Sequence, residues 1–390
     1  MDASSPITID ESSARYEGWR IVAVCFLVAT FGWAFGFYGQ SVYLAELHRA
    51  HGWPASLISG ATTFFYLFGA LVVVFVSEAV KKFGPRGCLI AGTCATAIAA
   101  VALGQVREPW QLYIVAAMLA FGWAGMSLGM ITNTLGLWFN KKRGMAISLA
   151  LNGASFGGIA GVPLLVIAIA HFGFSTAMIV AAGIMLVLVV PTVLIFVGKP
   201  PLLLQGAVTS TADTVSSTQI RAGALRDIAF LSVTTAFALV LFAQVGFIVH
   251  LISFLDPVIG RVLFSTVIDR LNQRLASALS FMSQAAALLV LINFRNEAAL
   301  IAACGVFGFS VGNLITLPSL IVQREFDPHS FGVLVSLQTA IAQVTYAFGP
   351  GVVGVLRDLS GSYTLPFYGC IALELTAAVL IMIRGHTKLP

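Results

Sequence analysis

Charge is what this 390-residue chain has least of. Lys, Arg, Asp and Glu make up 9% of it, and hydrophobic residues 58%. A soluble domain carries about 25% charged residues. No water-soluble fold could hide so much apolar surface, which excludes a soluble enzyme and a nucleic-acid binder. Cysteine is scarce as well. Cys25, Cys88, Cys94, Cys304 and Cys370 are odd in number and lie inside or beside apolar runs. They read as packed thiols, with no disulfide framework and no metal-ligand spacing. No Gly-rich loop ending in Lys-Ser/Thr is present to cradle a phosphate, which argues against ATP-driven pumping. No loop is long enough for a soluble enzyme domain, so the chain is not read as an enzyme and no cofactor is expected. The opening MDASSPITIDESSARYEG is polar and acidic, unlike a cleaved signal or transit peptide.

What is present is a series of continuous apolar runs. Their continuity excludes a β-barrel, whose strands would alternate. The runs fall at about 20–46, 55–80, 87–105, 110–139, 145–170 and 175–197, then at 226–255, 257–268, 275–294, 298–322, 331–356 and 364–384. The reading is therefore an all-α integral membrane protein of twelve spans. Residues 1–18 form a tail, 19–197 a first six-helix half and 198–224 a polar linker. Residues 225–384 form a second half and 385–390 a second tail. With both termini cytoplasmic, the cytoplasmic side holds sixteen basic residues and the opposite side four. That is a positive-inside bias. Arg261 is the one basic residue left inside a span.

The halves repeat one another. SEAVKKFGPR (77–86) follows span two and STVIDRLNQR (265–274) follows span eight. Aligned, Lys81 faces Asp269, Lys82 faces Arg270 and Arg86 faces Arg274. Related six-helix halves are a mark of secondary transporters, with the substrate bound near the midplane. Trp19 to Lys81 spans 62 residues but Arg226 to Asp269 only 43. The second half is short by about one crossing near 255–261. Span eight keeps twelve residues, roughly 18 Å against a hydrocarbon core of about 30 Å.

Several polar residues lie inside these spans. Tyr38, Gln40, Tyr66, Asn133, Asn152, Gln244, Asn313, Gln338, Gln343 and Tyr346 are either cavity residues or interhelical hydrogen-bond partners, and helical spacing alone leaves both readings open. His250 can titrate near neutral pH and is the candidate for proton coupling. The plainer reading, an interface residue capping span seven, is preferred. Asp256, before Pro257, reads as a turn or cap residue. Glu374 in span twelve reads as a packing residue or a protonated acid rather than a substrate contact. Gly153, Gly157 and Gly161 recur every four residues, a stripe that lets helices pack closely.

Several fragments carry a family resemblance: GWRIVAV (18–24), HGWPASLISG (51–60), LWFNKKRGMAISLALNGASFGG (137–158), HLISFLD (250–256), GRVLFSTVIDR (260–270) and GPGVVGVLRDLSGSY (349–363). In this order and spacing they resemble the major facilitator superfamily, and within it the oxalate/formate antiporter and monocarboxylate transporter group. The resemblance implies two six-helix halves around a central cavity lined by spans one, two, four and eleven. That selects Tyr38, Tyr66, Asn133, Gln338 and Tyr346 as substrate-binding candidates. It also implies that Arg261 holds the substrate anion, whose carboxylate fits a guanidinium fork. Asp269 and Arg270, with Arg143 at the basic cluster, are the gating candidates. The chain departs from the group where Lys81 replaces an acid of the first signature loop, where no lysine stands in span one or eleven, and where span eight is short.

The expectation is a secondary transporter of a small organic anion, a monocarboxylate, by proton symport or anion exchange. It is a monomer in a bacterial inner membrane, its partners the bilayer, the anion and protons, without nucleic acid. The alternatives are a carrier or exporter of another small molecule, and a transport-incompetent or sensor-like remnant, the latter because of span eight.

Overall fold

The structure, a computed structural model, describes residues 11, 13, 16–139, 142–198, 217–255, 273–294, 296–326 and 331–383. Every regular element among them is helical. Among the described residues, nine helical stretches are long and apolar enough to cross a bilayer. They are span one (Gly18–His51), two (Ala55–Val73), three (Glu78–Leu103), four (Pro109–Gly136), five (Arg143–Phe172), six (Phe174–Phe196), seven (Ile228–Leu251), nine (Gln273–Asn293) and eleven (Leu337–Ser360). Span ten is the helix Glu297–Glu325 and span twelve the helix Thr364–Leu380. Residues 256–272, where the sequence puts the shortened span eight, lie outside the described residues. Asp256, Arg261, Asp269 and Arg270 lie outside them too.

Local chemistry explains the breaks. Span one ends at Gly52, whose φ of 66° is left-handed and whose N–H donates to the His48 carbonyl, 2.9 Å away. The helix Val76–Leu103 is broken at Gly84, with φ 73° and ψ 160°, beside Pro85. The first signature loop is thus a turn, with Lys81, Lys82 and Arg86 exposed around it. Span one widens into a π-helical turn over Ala34–Tyr38. Gly36 lies under the Trp123 ring there; a Cβ at that position would come within 2.3 Å of the indole. Trp33 packs edge-on to the same ring at 4.8 Å.

By contact the chain forms two units. One is Met1–Phe37, Leu71–Gln105 and Met118–Ala212; the other is Tyr38–Ala70, Val106–Ala117 and Asp213–Pro390. This grouping cuts across the two sequence halves, because the segments 38–70 and 106–117 of the first half group with the second.

In the first unit, spans one and five pack through the glycine stripe. A Cβ at Gly153 would lie 2.0 Å from the Phe26 carbonyl oxygen, and one at Gly157 2.3 Å from that of Thr30. Gly161 faces the Ala34 methyl. Hydrogen on Cα is all that Gly153 and Gly157 can hold, and the close approach maximises van der Waals contact where no hydrophobic effect drives helices together. The tail adds a clasp. Glu11 accepts from the Lys142 N–H, 2.7 Å away, at the start of span five, and the Tyr16 hydroxyl donates to the Trp138 carbonyl. Burial, with Glu11 and Glu17 nearby, pushes the Tyr16 hydroxyl above its ordinary pKa.

In the second unit span seven is the post. Its aromatic rings meet Phe281 of span nine (Phe237, 5.4 Å), Phe307 of span ten (Phe247, 4.6 Å) and Phe367 of span twelve (Phe247, 5.1 Å). Spans seven and eleven cross where a Cβ at Gly349 would come within 2.3 Å of the Phe242 carbonyl oxygen. The second unit thus reuses the glycine-on-carbonyl contact of the first.

Candidate functional site

The wide turn of span one delivers Tyr38 at its last residue, and Gln40 follows in the next turn. Such turns re-aim side chains and recur at functional sites. Gln40 is buried, and its Oε1 accepts from the Thr62 hydroxyl of span two at 3.1 Å. One turn further along span two, Tyr66 is buried and meets Tyr346 of span eleven edge-to-face at 5.5 Å. Tyr38 is near enough to Tyr66 for the two hydroxyls to interact electrostatically. Gln338 lies about two turns before Tyr346 on span eleven. It is buried, and its Nε2 has no hydrogen-bond partner among the described residues. Gln244 of span seven is buried with its Oε1 in the same condition. A buried amide donor and a buried amide acceptor with open valences are groups that a small polar solute can satisfy.

Four of the predicted binding residues, Tyr38, Tyr66, Gln338 and Tyr346, therefore belong to one unit, and Tyr66 and Tyr346 touch. Asn133 belongs to the other unit, half-buried, with its Nδ2 donating to the Gly129 carbonyl at 2.8 Å. Arg143 is exposed, its guanidinium against the backbone of Gly136.

His250 is fully buried near the end of span seven. Its Nε2 lies 3.1 Å from the Pro350 carbonyl of span eleven, and its Nδ1 lies 3.2 Å from the Tyr363 hydroxyl. A carbonyl only accepts, so Nε2 carries the hydrogen, and Nδ1 can take the hydroxyl proton of Tyr363. The Arg357 guanidinium lies 5.7 Å from the Tyr363 ring centroid and donates to Asp358 Oδ1 at 2.9 Å. Asp358 Oδ2 in turn accepts from the Ser56 N–H of span two at 2.7 Å.

Among the described residues, the most buried ion pair was not singled out by the sequence. Arg274, read there as a loop residue setting topology, is 1% exposed at the start of span nine. Its Nε and Nη2 donate to the two carboxylate oxygens of Glu325 at 2.7 and 2.5 Å. Nη1 donates to the carbonyls of Ile381 and Ile383 at 2.8 and 2.9 Å and to the Ser232 hydroxyl at 3.2 Å. One guanidinium so ties spans seven, nine and ten to the end of span twelve. The available signal was its place in the repeated signature loop. In the first half Arg86, its aligned counterpart, is exposed.

Glu374 is fully buried in span twelve, and neither carboxyl oxygen has a hydrogen-bond partner among the described residues. Among the described residues no cluster of three or more His, Cys, Asp or Glu side chains could hold a metal.

Known proteins match this architecture. Residues 23–259 match the Major Facilitator Superfamily. The chain belongs to that superfamily. It is 26% identical over 418 residues to the MFS-type transporter pynF of Aspergillus niger, covering 100% of this chain and 92% of that protein. It is 23% identical over 396 residues to monocarboxylate transporter 13 of Bos taurus, covering 95% and 89%. The solved structure of the nucleoside transporter NupG superposes with a TM-score of 0.70 at 11% identity, covering 93% of this chain and 99% of that one. That likeness shows the fold. This member of the superfamily is an integral membrane transporter, and its homologues and fold are those of transporters rather than enzymes.

Proposed function

We propose that this transporter carries a small organic anion of the monocarboxylate class by alternating access. The observation that carries the reading is the meeting of Tyr66 with Tyr346, which joins a polar group of the first sequence half to one of the second. In this fold a substrate site between repeats gives alternating exposure. Tyr38, Tyr66 and Tyr346 offer hydroxyls, and Gln338 offers an amide N–H, for a carboxylate to accept from. Arg261 supplies the positive charge. Likeness to a monocarboxylate transporter over most of the chain supports this class. Asp269, Arg270 and Arg143 gate the cytoplasmic side. Both termini are cytoplasmic, in a bacterial inner membrane, and the protein works as a monomer.

Proteoliposomes loaded with purified protein test this. Saturable uptake of labelled small carboxylates is expected. It should fall at least tenfold in Arg261→Ala and several-fold in Tyr346→Phe. An inward proton gradient that accelerates uptake marks symport; acceleration by internal anion alone marks exchange. Well-folded protein that takes up no carboxylate overturns the substrate class. Restoring a full-length span eight then separates a wrong substrate from a broken carrier.

A further inference from the structure

Spans two and eleven meet antiparallel, and each serves the other's helix start. Span two begins at Ala55, after Trp53 and Pro54. Neither preceding residue has a side-chain oxygen, so the usual N-cap is missing. The Leu57 and Ile58 N–H groups reach the Pro54 carbonyl; the Ser56 N–H, one of the first-turn donors with no intrahelical acceptor, turns outward. It donates to Asp358 Oδ2, 302 residues away, at 2.7 Å. Span eleven breaks at Phe348 and restarts at Gly349 with Pro350 in its first turn. Pro350 has no N–H and that of Val352 reaches back to the Phe348 carbonyl; between them the Gly351 N–H donates to Thr63 Oγ1 of span two at 3.2 Å. Between the two caps a Cβ at Gly354 would fall 2.0 Å from Ser59 Oγ, so only glycine lets the helices come this near.

We propose that Asp358 and Thr63 are gating residues, a reciprocal capping latch that holds this end of spans two and eleven together in one state of the transport cycle and is undone when that end opens. This rests on the alternating-access reading above. A helix that carried its own cap would gain nothing from its neighbour. Here one donor at each helix start is satisfied by the other span, and both donors must be rehydrated when the spans part. The carboxylate adds attraction to the positive end of span two, which a neutral cap would lack.

The test uses the full chain, with its five cysteines replaced by alanine and spin labels at His51→Cys and Leu359→Cys, in lipid nanodiscs. Pulsed electron resonance reads the distance distribution at this end. The parent should show a short and a long population. Asp358→Ala should raise the long-to-short ratio about tenfold, the worth of one charge-assisted hydrogen bond. Thr63→Val should raise it about threefold, and Thr63→Ser should restore it. Asp358→Asn, which keeps an acceptor but loses the charge, should fall between parent and alanine. An unchanged ratio in Asp358→Ala and Thr63→Val, with two populations in the parent, overturns the latch alone. A single population in the parent, unmoved by substrate and accompanied by no uptake, overturns the alternating-access reading beneath it.

Discussion

Arg274→Ala removes five donors from a site with almost no water. The guanidinium is 1% exposed, and Glu325 is 30% exposed. Truncation leaves a half-covered carboxylate and takes one donor each from the Ile381 and Ile383 carbonyls, the latter keeping the Ser232 hydroxyl. Breaking a buried pair by deleting one partner costs about 3–5 kcal/mol. Glu325 recovers some hydration through its exposed edge, so the lower end applies, about 3 kcal/mol. That is a change of roughly 150-fold in the unfolding equilibrium. Arg274→Lys keeps the charge but has no fork to span both Glu325 oxygens, and should cost about 1–2 kcal/mol. A double-mutant cycle separates pairing from packing. Glu325→Gln alone, and combined with Arg274→Met, should give a coupling energy near 2 kcal/mol, with the double variant more stable than the Arg274 single variants would suggest if costs added. The assay is reversible unfolding in mixed micelles followed by the fluorescence of the six tryptophans. A cost under about 1 kcal/mol for Arg274→Ala, or additivity with Glu325→Gln, would refute the claim that this ion pair holds the spans together.

Other outcomes follow from the packing. Gly153→Ala places a methyl carbon 2.0 Å from the Phe26 carbonyl oxygen, so spans one and five must separate. The expected loss is about 1–3 kcal/mol in the same unfolding assay, and a neutral result would show that the stripe is loosely packed. Glu374→Leu replaces a buried acid without hydrogen-bond partners among the described residues and should raise the unfolding free energy by about 1–3 kcal/mol; a fall would mean that the acid is needed. Tyr16→Phe removes the hydroxyl from the Trp138 carbonyl and should cost about 1 kcal/mol while leaving uptake intact. Loss of uptake there would give the amino-terminal clasp a part in transport.

The polar candidates show how far a sequence reaches. Tyr66 and Tyr346 were selected because their spans line the cavity in the family, and the structure puts their rings together. Asn133, selected for the same reason, bonds within its own helix. Its character on paper was no different: a polar residue within an apolar span. His250 was read as an interface residue capping span seven. Its partners are Pro350 of span eleven and Tyr363 just before span twelve, 100 and 113 residues further along. Arg274 looked like a loop charge of the kind that sets topology, and Asp358 was not singled out. Arg261, Asp269 and Arg270 remain proposals, since they lie outside the described residues.

Long apolar runs with few charges leave the backbone no partner but itself inside a bilayer, so the sequence alone determined that the chain spans the membrane as helices. The same one-dimensional record carried the basic loops, the breaks at Gly84 and Gly52 and the small-residue stripe, because each depends on residues within a few positions of one another. Helical spacing gives a side chain's angle around its own axis but not which neighbour that angle meets. Only the tertiary structure decided that Asp358 caps span two, that Arg274 is buried against Glu325 and the end of span twelve, and that segments 38–70 of the first half group with the second. Those partners come from distant parts of the chain, and nothing but the packing of the helices brings them within bonding distance.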